Sequence, residues 1–266
     1  MHDTVSAILS ECTGPVALLL DFDGTLVEIA PSPDAVVVPP DLSERLRSLY
    51  SALDGALAIV TGRTIDAIDS FLPSQEFAIT GGHGAERRIF GQRETANPKI
   101  LDDAAAIASR LTDTLGGEPG ILIEPKPTGV AVHYRAAPEK AALASAALTR
   151  ALEGYNDFHA ISGKKVIEAR PQWANKGAAI EGLMQVKPFA GRTPVFIGDD
   201  VTDEDGFAAA DRLGGFGIRI GEGETRARFT LPDIAHLFTY FDALIERERN
   251  SSSRTSVNTA QESMVK

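Results

Sequence analysis

Three short apolar runs, Val16 to Leu20, Ala56 to Val60 and Pro194 to Ile197, each end abruptly in a turn built from Asp, Thr and Gly. Runs of that length without polar alternation belong to strands buried on both faces, as in a parallel sheet covered by helices. The segments between them supply the helices. Leu42, Leu46, Leu49, Tyr50 and Leu53 recur at helical spacing up to Gly55, and Asp41 with Glu44 resembles a capping box at the start. Ile65, Ile68, Phe71 and Leu72 make a second such stripe, followed by a strand at Phe77 to Thr80. The alternation predicts an α/β fold with a doubly wound, Rossmann-like parallel sheet.

From about residue 100 the pattern changes. A helix over Leu101 to Leu115 precedes strands at Ile121 to Glu124 and Gly129 to Arg135. A helix over Pro138 to Leu152 then precedes strands at Phe158 to Ser162 and Lys165 to Ala169. This doubled helix-strand-strand order predicts a four-stranded sheet with helices on one face, a small domain spanning 101–173 and inserted into a core made of 1–100 and 174–249. The core resumes with a helix over Asn175 to Val186, strands at Pro194 to Ile197 and Gly217 to Ile220, and a last helix around Ile234 to Glu248. Residues 250–266, rich in Ser, Thr and Asn, read as a disordered tail.

Charge and composition narrow the function. A net charge of −11 opposes a nucleic-acid partner, which needs a basic face, but leaves room for a phosphate ligand held by local cations. No apolar stretch reaches the length of a membrane span, and the N-terminus lacks a secretory signal, so the chain is expected to be cytoplasmic, monomeric and active on a small molecule. The single cysteine, Cys12, excludes an internal disulfide.

The polar turns carry the chemistry. Asp21 and Asp23 follow the first apolar run, and Asp199, Asp200 and Asp203 follow the third, so a parallel sheet brings both groups to one end. Carboxylates crowded into one pocket repel one another unless a cation neutralises them, and oxygen ligands of this kind suit Mg2+. Any one of these Asp residues also fits a simple turn or cap. Thr61 and Lys176 add a hydroxyl and an ammonium able to hold phosphate oxygens.

Asp21-Phe22-Asp23-Gly24-Thr25-Leu26, Thr61-Gly62-Arg63, Lys176 and Gly198-Asp199-Asp200-Val201-Thr202-Asp203-Glu204 resemble the four ordered motifs of the haloacid dehalogenase superfamily. The insertion between the second and third motifs is similar to the superfamily's α/β cap of the second type. The resemblance implies that Asp21 is the nucleophile, that Asp23 is general acid and then general base, and that Thr61 and Lys176 stabilise the phosphoryl group. It also implies Mg2+ ligands at Asp21, Asp199 and the backbone carbonyl of Asp23, with Asp200 and Asp203 orienting the site.

Gly82-His83-Gly84-Ala85-Glu86, Glu124-Pro125-Lys126 with Arg135, and Lys165-Val166-Ile167-Glu168-Ala169-Arg170-Pro171 resemble, within that superfamily, the trehalose-6-phosphate phosphatases. The resemblance implies trehalose 6-phosphate as substrate. Asp21, Phe22, Asp23, Arg63, His83, Glu124, Lys126, Arg135 and Glu168 would then contact it, the four cap residues through sugar hydroxyls. Those cap charges also fit an exposed, ion-paired strand face. Trp173, at the domain junction, fits either a sugar-stacking or a packing role, and Asn175 carries no defined role. A phosphatase for another sugar phosphate, a phosphosugar mutase and a non-catalytic sensor remain open on the residues alone.

Overall fold

The first apolar run forms β1 (Val16–Leu20), buried at every position. The structure is a computed structural model; it describes residues 2–73, 76–94 and 96–264, with side chains between 4 and 250 in those ranges. β2 (Leu57–Val60), β3 (Ala78–Gly81), β4 (Glu86–Ile89) and β5 (Gln92–Glu94) lie on one side of β1. The cap contributes β6 (Leu122–Lys126), β7 (Gly129–His133), β8 (Phe158–Gly163) and β9 (Val166–Pro171). β10 (Thr193–Gly198), β11 (Phe216–Ile220) and β12 (Phe229–Leu231) complete the main sheet, ordered β12-β11-β10-β1-β2-β3-β4-β5. Strands from β12 to β3 are parallel, while β3, β4 and β5 pair antiparallel.

That edge hairpin was not anticipated, because Glu-Arg-Arg-Ile does not read as an apolar strand. Its charge protects an exposed sheet edge. Arg88 pairs with Asp69 and Arg93 with Asp66, which fasten the hairpin to the helix beside it, and Arg93 also pairs with Glu86 across the hairpin.

The core helices are α1 (His2–Glu11), α2 (Leu42–Ala52) and α3 (Ile65–Phe71). α4 (Pro98–Leu115) and α5 (Ala141–Ala151) belong to the cap, and α6 (Lys176–Leu183), α7 (Glu204–Arg212) and α8 (Ile234–Met264) return to the core. In α2, Leu42, Leu46 and Leu49 are buried as their spacing requires, but Asp41 makes no side-chain cap. Its carboxylate is taken by Arg45 at 2.7 Å, one turn on, so the expected capping box is absent. Thr64, Asn97 and Asn175 do cap α3, α4 and α6, each accepting a backbone N–H. α8 keeps helical backbone through 250–264, where composition alone suggested a disordered tail: a helix nucleated by the buried stretch around Leu237 to Ile245 propagates at one hydrogen bond per added residue. No helix among the described residues is long and apolar enough to cross a membrane.

The cap sheet runs β6-β7-β9-β8, antiparallel throughout, with its own hydrophobic cluster. Val130, Val132, Ile167 and Ala169 pack against Ile107, Leu111 and Leu148 of α4 and α5. Side chains alternate across a strand, so the other face carries the polar set. Register places Glu124, Ala131 and Glu168 in one row across that face.

Candidate active site

Asp21 follows β1 directly and its N–H donates to Ile197 O of the adjacent β10 at 2.8 Å, so the nucleophile candidate is fixed by sheet pairing. Gly24 turns the chain with φ +81°, and a Cβ there would fall 2.2 Å from Asp199 Oδ2, so glycine lets the two acidic turns meet. Lys176, the first residue of α6, reaches back with Nζ 2.7 Å from Asp21 Oδ1 and 2.5 Å from Asp203 Oδ1. The other oxygen of Asp203 accepts the N–H groups of Asp199 and Asp200 at 3.0 and 2.9 Å, which holds the Gly-Asp-Asp turn in shape.

Asp21, Asp199 and Asp203 bring carboxylate oxygens within 4.8 Å of one another. One ammonium against three carboxylates leaves a net deficit of positive charge, and the titration behaviour reflects it. Burial pushes the Asp21 carboxyl well above its ordinary value, with Lys176 opposing and Asp203 and Asp199 adding to the rise. Burial followed by repulsion from Asp203 pushes Asp199 up to about 7. Burial works against the Lys176 ammonium, yet Asp203 and Asp21 hold it above the usual lysine value. Asp199 Oδ1 is buried with no hydrogen-bond partner among the described residues. A hard divalent cation fits this all-oxygen, under-neutralised set.

The Asp23 carboxylate is not part of that cluster, though it lines the same cavity. Arg63 Nε and Nη2 grip it at 2.6 and 2.8 Å, while Nη1 donates to Pro33 O at 3.1 Å. All three guanidinium nitrogens are thus engaged with protein, and Arg63, which also lines the cavity, orients Asp23 there. Phe22 is a correction to the expected substrate contact: its side chain is fully buried, stacked on Phe71 at 5.8 Å, because the residue between two outward-facing Asp residues points into the core. Thr61 is buried beside the cavity, and its Oγ1 accepts from Arg63 N at 3.2 Å.

The polar face of the cap sheet closes over this end. Glu168 accepts from Lys126 Nζ at 2.7 Å and pairs with His83 Nε2 at 2.9 Å, and Lys126 also donates to Gly62 O at 3.1 Å. Burial alone would raise the Glu168 carboxyl, but Lys126 and His83 hold it well below the ordinary range. Glu124 pairs with His133 at 2.8 Å, and Arg135 donates to Lys164 O at 3.2 Å. Asp21, Thr61, Lys176 and Asp199 share one cavity with Glu124, Lys126, Arg135 and Glu168. Trp173 lies outside it, about half exposed, and Asn175 serves as the α6 cap.

Sequence reasoning passed over His133, Lys164 and the segment Ile29 to Pro33, which also line the cavity. His133 had a signal: it stands on the alternating strand two residues beyond Ala131, on the Glu124 face. The loop segment had none.

Residues 19–234 match the family model described as trehalose-phosphatase. The chain is 38% identical over 250 residues to the trehalose-6-phosphate phosphatase of Escherichia coli strain K12, covering 91% of this chain and 93% of that one. It is 44% identical over 211 residues to a probable trehalose-phosphate phosphatase of Sinorhizobium fredii, covering 77% of each. The crystal structure of a trehalose-6-phosphate phosphatase related protein superposes with a TM-score of 0.76 at 28% identity, covering 90% of this chain and 99% of that one. The fold is that of the haloacid dehalogenase superfamily, a Rossmann-like core with an inserted cap.

Proposed function

We propose that this chain, which belongs to the trehalose-phosphatase family, hydrolyses trehalose 6-phosphate to trehalose and inorganic phosphate through a phosphorylated Asp21. The carrying observation is a single cavity walled on one side by Asp21 and Lys176 and on the other by the charged cap face. In this reading 1–100 with 174–249 is the catalytic core and 101–173 the cap that selects the sugar.

An Asp21 carboxylate oxygen forms a bond to phosphorus as the ester bond to the sugar oxygen breaks, and Asp23 gives that oxygen its proton. Asp23 then takes a proton from water. The water oxygen bonds to phosphorus, the acyl phosphate breaks, and Asp21 returns as carboxylate with free phosphate. Lys176 and Thr61 stabilise the phosphoryl oxygens as charge moves, and Arg63 keeps the Asp23 carboxyl aimed. Asp21, Asp199 and the backbone carbonyl of Asp23 would hold Mg2+, which supplies charge neutralisation and polarises the phosphoryl group. Glu124, Lys126, Arg135 and Glu168, joined by His133, would give charge-assisted hydrogen bonds to sugar hydroxyls.

Removing the metal is expected to abolish turnover, and Mg2+ to restore it where Zn2+ does so poorly, since no His or Cys joins the ligand set. The sign of the accompanying proton change follows from Asp199. Its carboxyl titrates near about 7 without a cation, so at about pH 6 it carries a proton that Mg2+ binding must release. The Asp199 share of that release is expected to fall away by about pH 8, and Mg2+ affinity to weaken as pH drops through 7. Calorimetry in buffers of different ionisation enthalpy reads this directly. Full activity in excess chelator, or binding at pH 6 without proton release, would sink the metal assignment.

The substrate assignment is tested at the cap. Glu124→Ala is expected to lower kcat/KM for trehalose 6-phosphate roughly 30- to 1000-fold, equivalent to about 2–4 kcal/mol of transition-state binding. Hydrolysis of a small aryl phosphate should survive, because it never uses the cap contacts. Equal losses on both substrates would mean that Glu124 supports the fold or the core chemistry instead. A phosphate-release screen over phosphorylated sugars, with trehalose identified as the co-product, decides among substrates.

A further inference from the structure

β9 carries Glu168 and Arg170 two positions apart, hence on the same face of the cap sheet. Arg170 is only 5% exposed, and its Nε and Nη1 have no hydrogen-bond partner among the described residues. Nδ1 of His83, a residue 7% exposed, is unpartnered as well. Both residues line a small cavity between cap and core, together with Gly62, Lys126, Thr128 and Glu168. It offers about 10 Å³ to the centre of a water-sized sphere, room for one water and nothing larger. The Glu168 carboxylate in the same wall disfavours an anion.

The donor and acceptor pattern is specific. Glu168 is ionised and can only accept, so the 2.9 Å contact requires the hydrogen on His83 Nε2. Burial, chiefly, keeps His83 below the ordinary imidazole value, so the ring is neutral and Nδ1 presents a lone pair. Arg170 has only N–H groups to give. A buried guanidinium with idle donors is costly, and water is the small molecule that accepts from it while donating to an imidazole nitrogen.

We propose that one ordered water occupies this cavity, accepting from Arg170 and donating to His83 Nδ1, so that Arg170 is a positioning residue that reinforces the His83 tautomer required by Glu168. Backbone supports the same turn: His83 sits at φ +57° with its N–H on Thr61 O at 2.9 Å, and a Cβ on Gly62 would fall 2.5 Å from Nε2. The core loop therefore presents one ring orientation to the cap, and Arg170, through the water, stabilises the tautomer that Glu168 requires. Its consequence for turnover rests on the function proposed above, since seating of the cap is what the His83–Glu168 contact would favour.

Two measurements on the unaltered full chain test this whatever the substrate proves to be. A high-resolution crystal structure is expected to show a water within hydrogen-bond distance of Arg170 and His83 Nδ1. Ring nitrogen-15 spectra are expected to show His83 as the neutral Nε2–H tautomer. A dry cavity, a direct Arg170–His83 contact or an Nδ1–H tautomer would overturn the proposal. Arg170→Met, which keeps length but no donor, is expected to give a mixture of tautomers, and Arg170→Lys to restore the single form. KM for trehalose 6-phosphate should rise roughly tenfold in Arg170→Met, with kcat changed far less. An unchanged His83 spectrum in folded Arg170→Met would refute the positioning role.

Discussion

Asp21→Asn is expected to reduce turnover by about 10⁴-fold or more, because an amide cannot form the acyl phosphate and the other carboxylate beside Lys176, Asp203, is fully buried and tied to the Asp199 and Asp200 N–H groups. Asparagine is nearly isosteric, so the fold should persist. The substitution also removes one of three clustered carboxylates, the one that Asp203 and Asp199 push up, and thermal stability of the metal-free protein should hold or improve. Asp23→Asn should behave differently. It lacks the proton for a sugar leaving group but keeps the nucleophile, so an activated aryl phosphate should still phosphorylate Asp21, and the phosphoenzyme should accumulate because water is no longer deprotonated. Rapid-quench labelling that finds an alkali-labile phosphate in Asp23→Asn and none in Asp21→Asn supports the assignment. Label that resists alkali, or label in Asp21→Asn, contradicts it.

Lys176→Met is expected to be nearly as severe by another route. The ammonium is 2% exposed and bridges two buried carboxylates, so its loss leaves both without their shared counter-ion. Breaking a buried pair in this way costs about 3–5 kcal/mol of stability, and loss of the phosphoryl contact about 10²- to 10³-fold in kcat. The pH dependence carries a sign. Without Lys176 nothing opposes the rise of the Asp21 carboxyl, and a carboxyl raised in the folded state contributes stability at low pH that is lost as pH rises through its folded value. The variant should therefore lose stability against urea as pH rises from the acidic range toward neutrality, more steeply than the parent chain. Residual activity should move to higher pH. A variant with parental stability across that range would show that Lys176 does not hold the carboxylates together.

The strands and acidic turns were legible because each rests on a local pattern: an apolar run, then a polar break, at Leu20-Asp21, Val60-Thr61 and Gly198-Asp199. The cap was legible for the same reason, through repeated helix-strand-strand order. What local pattern cannot supply is orientation. Phe22 and Asp23 are adjacent in a motif, yet one enters the core and the other meets Arg63, a contact across 40 residues. Arg63 itself has the chemistry of a phosphate ligand, and its grip on Asp23 and Pro33 is not written in any local pattern. The β4–β5 hairpin was hidden because its stability comes from cross-links such as Arg93 to Asp66 and Glu86 rather than from apolar burial.

The main sheet has β1 in its interior, with Val16 to Leu20 paired on one side to β10, at residues 193 to 197, and on the other to β2. One neighbour of β1 is therefore made early in synthesis and the other only after the whole cap has left the ribosome. Until then an entirely apolar strand keeps one edge open, a template for pairing with other chains. The cap has its own sheet and its own hydrophobic cluster, so it can fold while the sheet that holds it is still incomplete. The same insertion that brings the charged cap face to Asp21 thus also sets the order of assembly, with the acidic turns brought together last and the nascent core most exposed to aggregation just before β10 arrives.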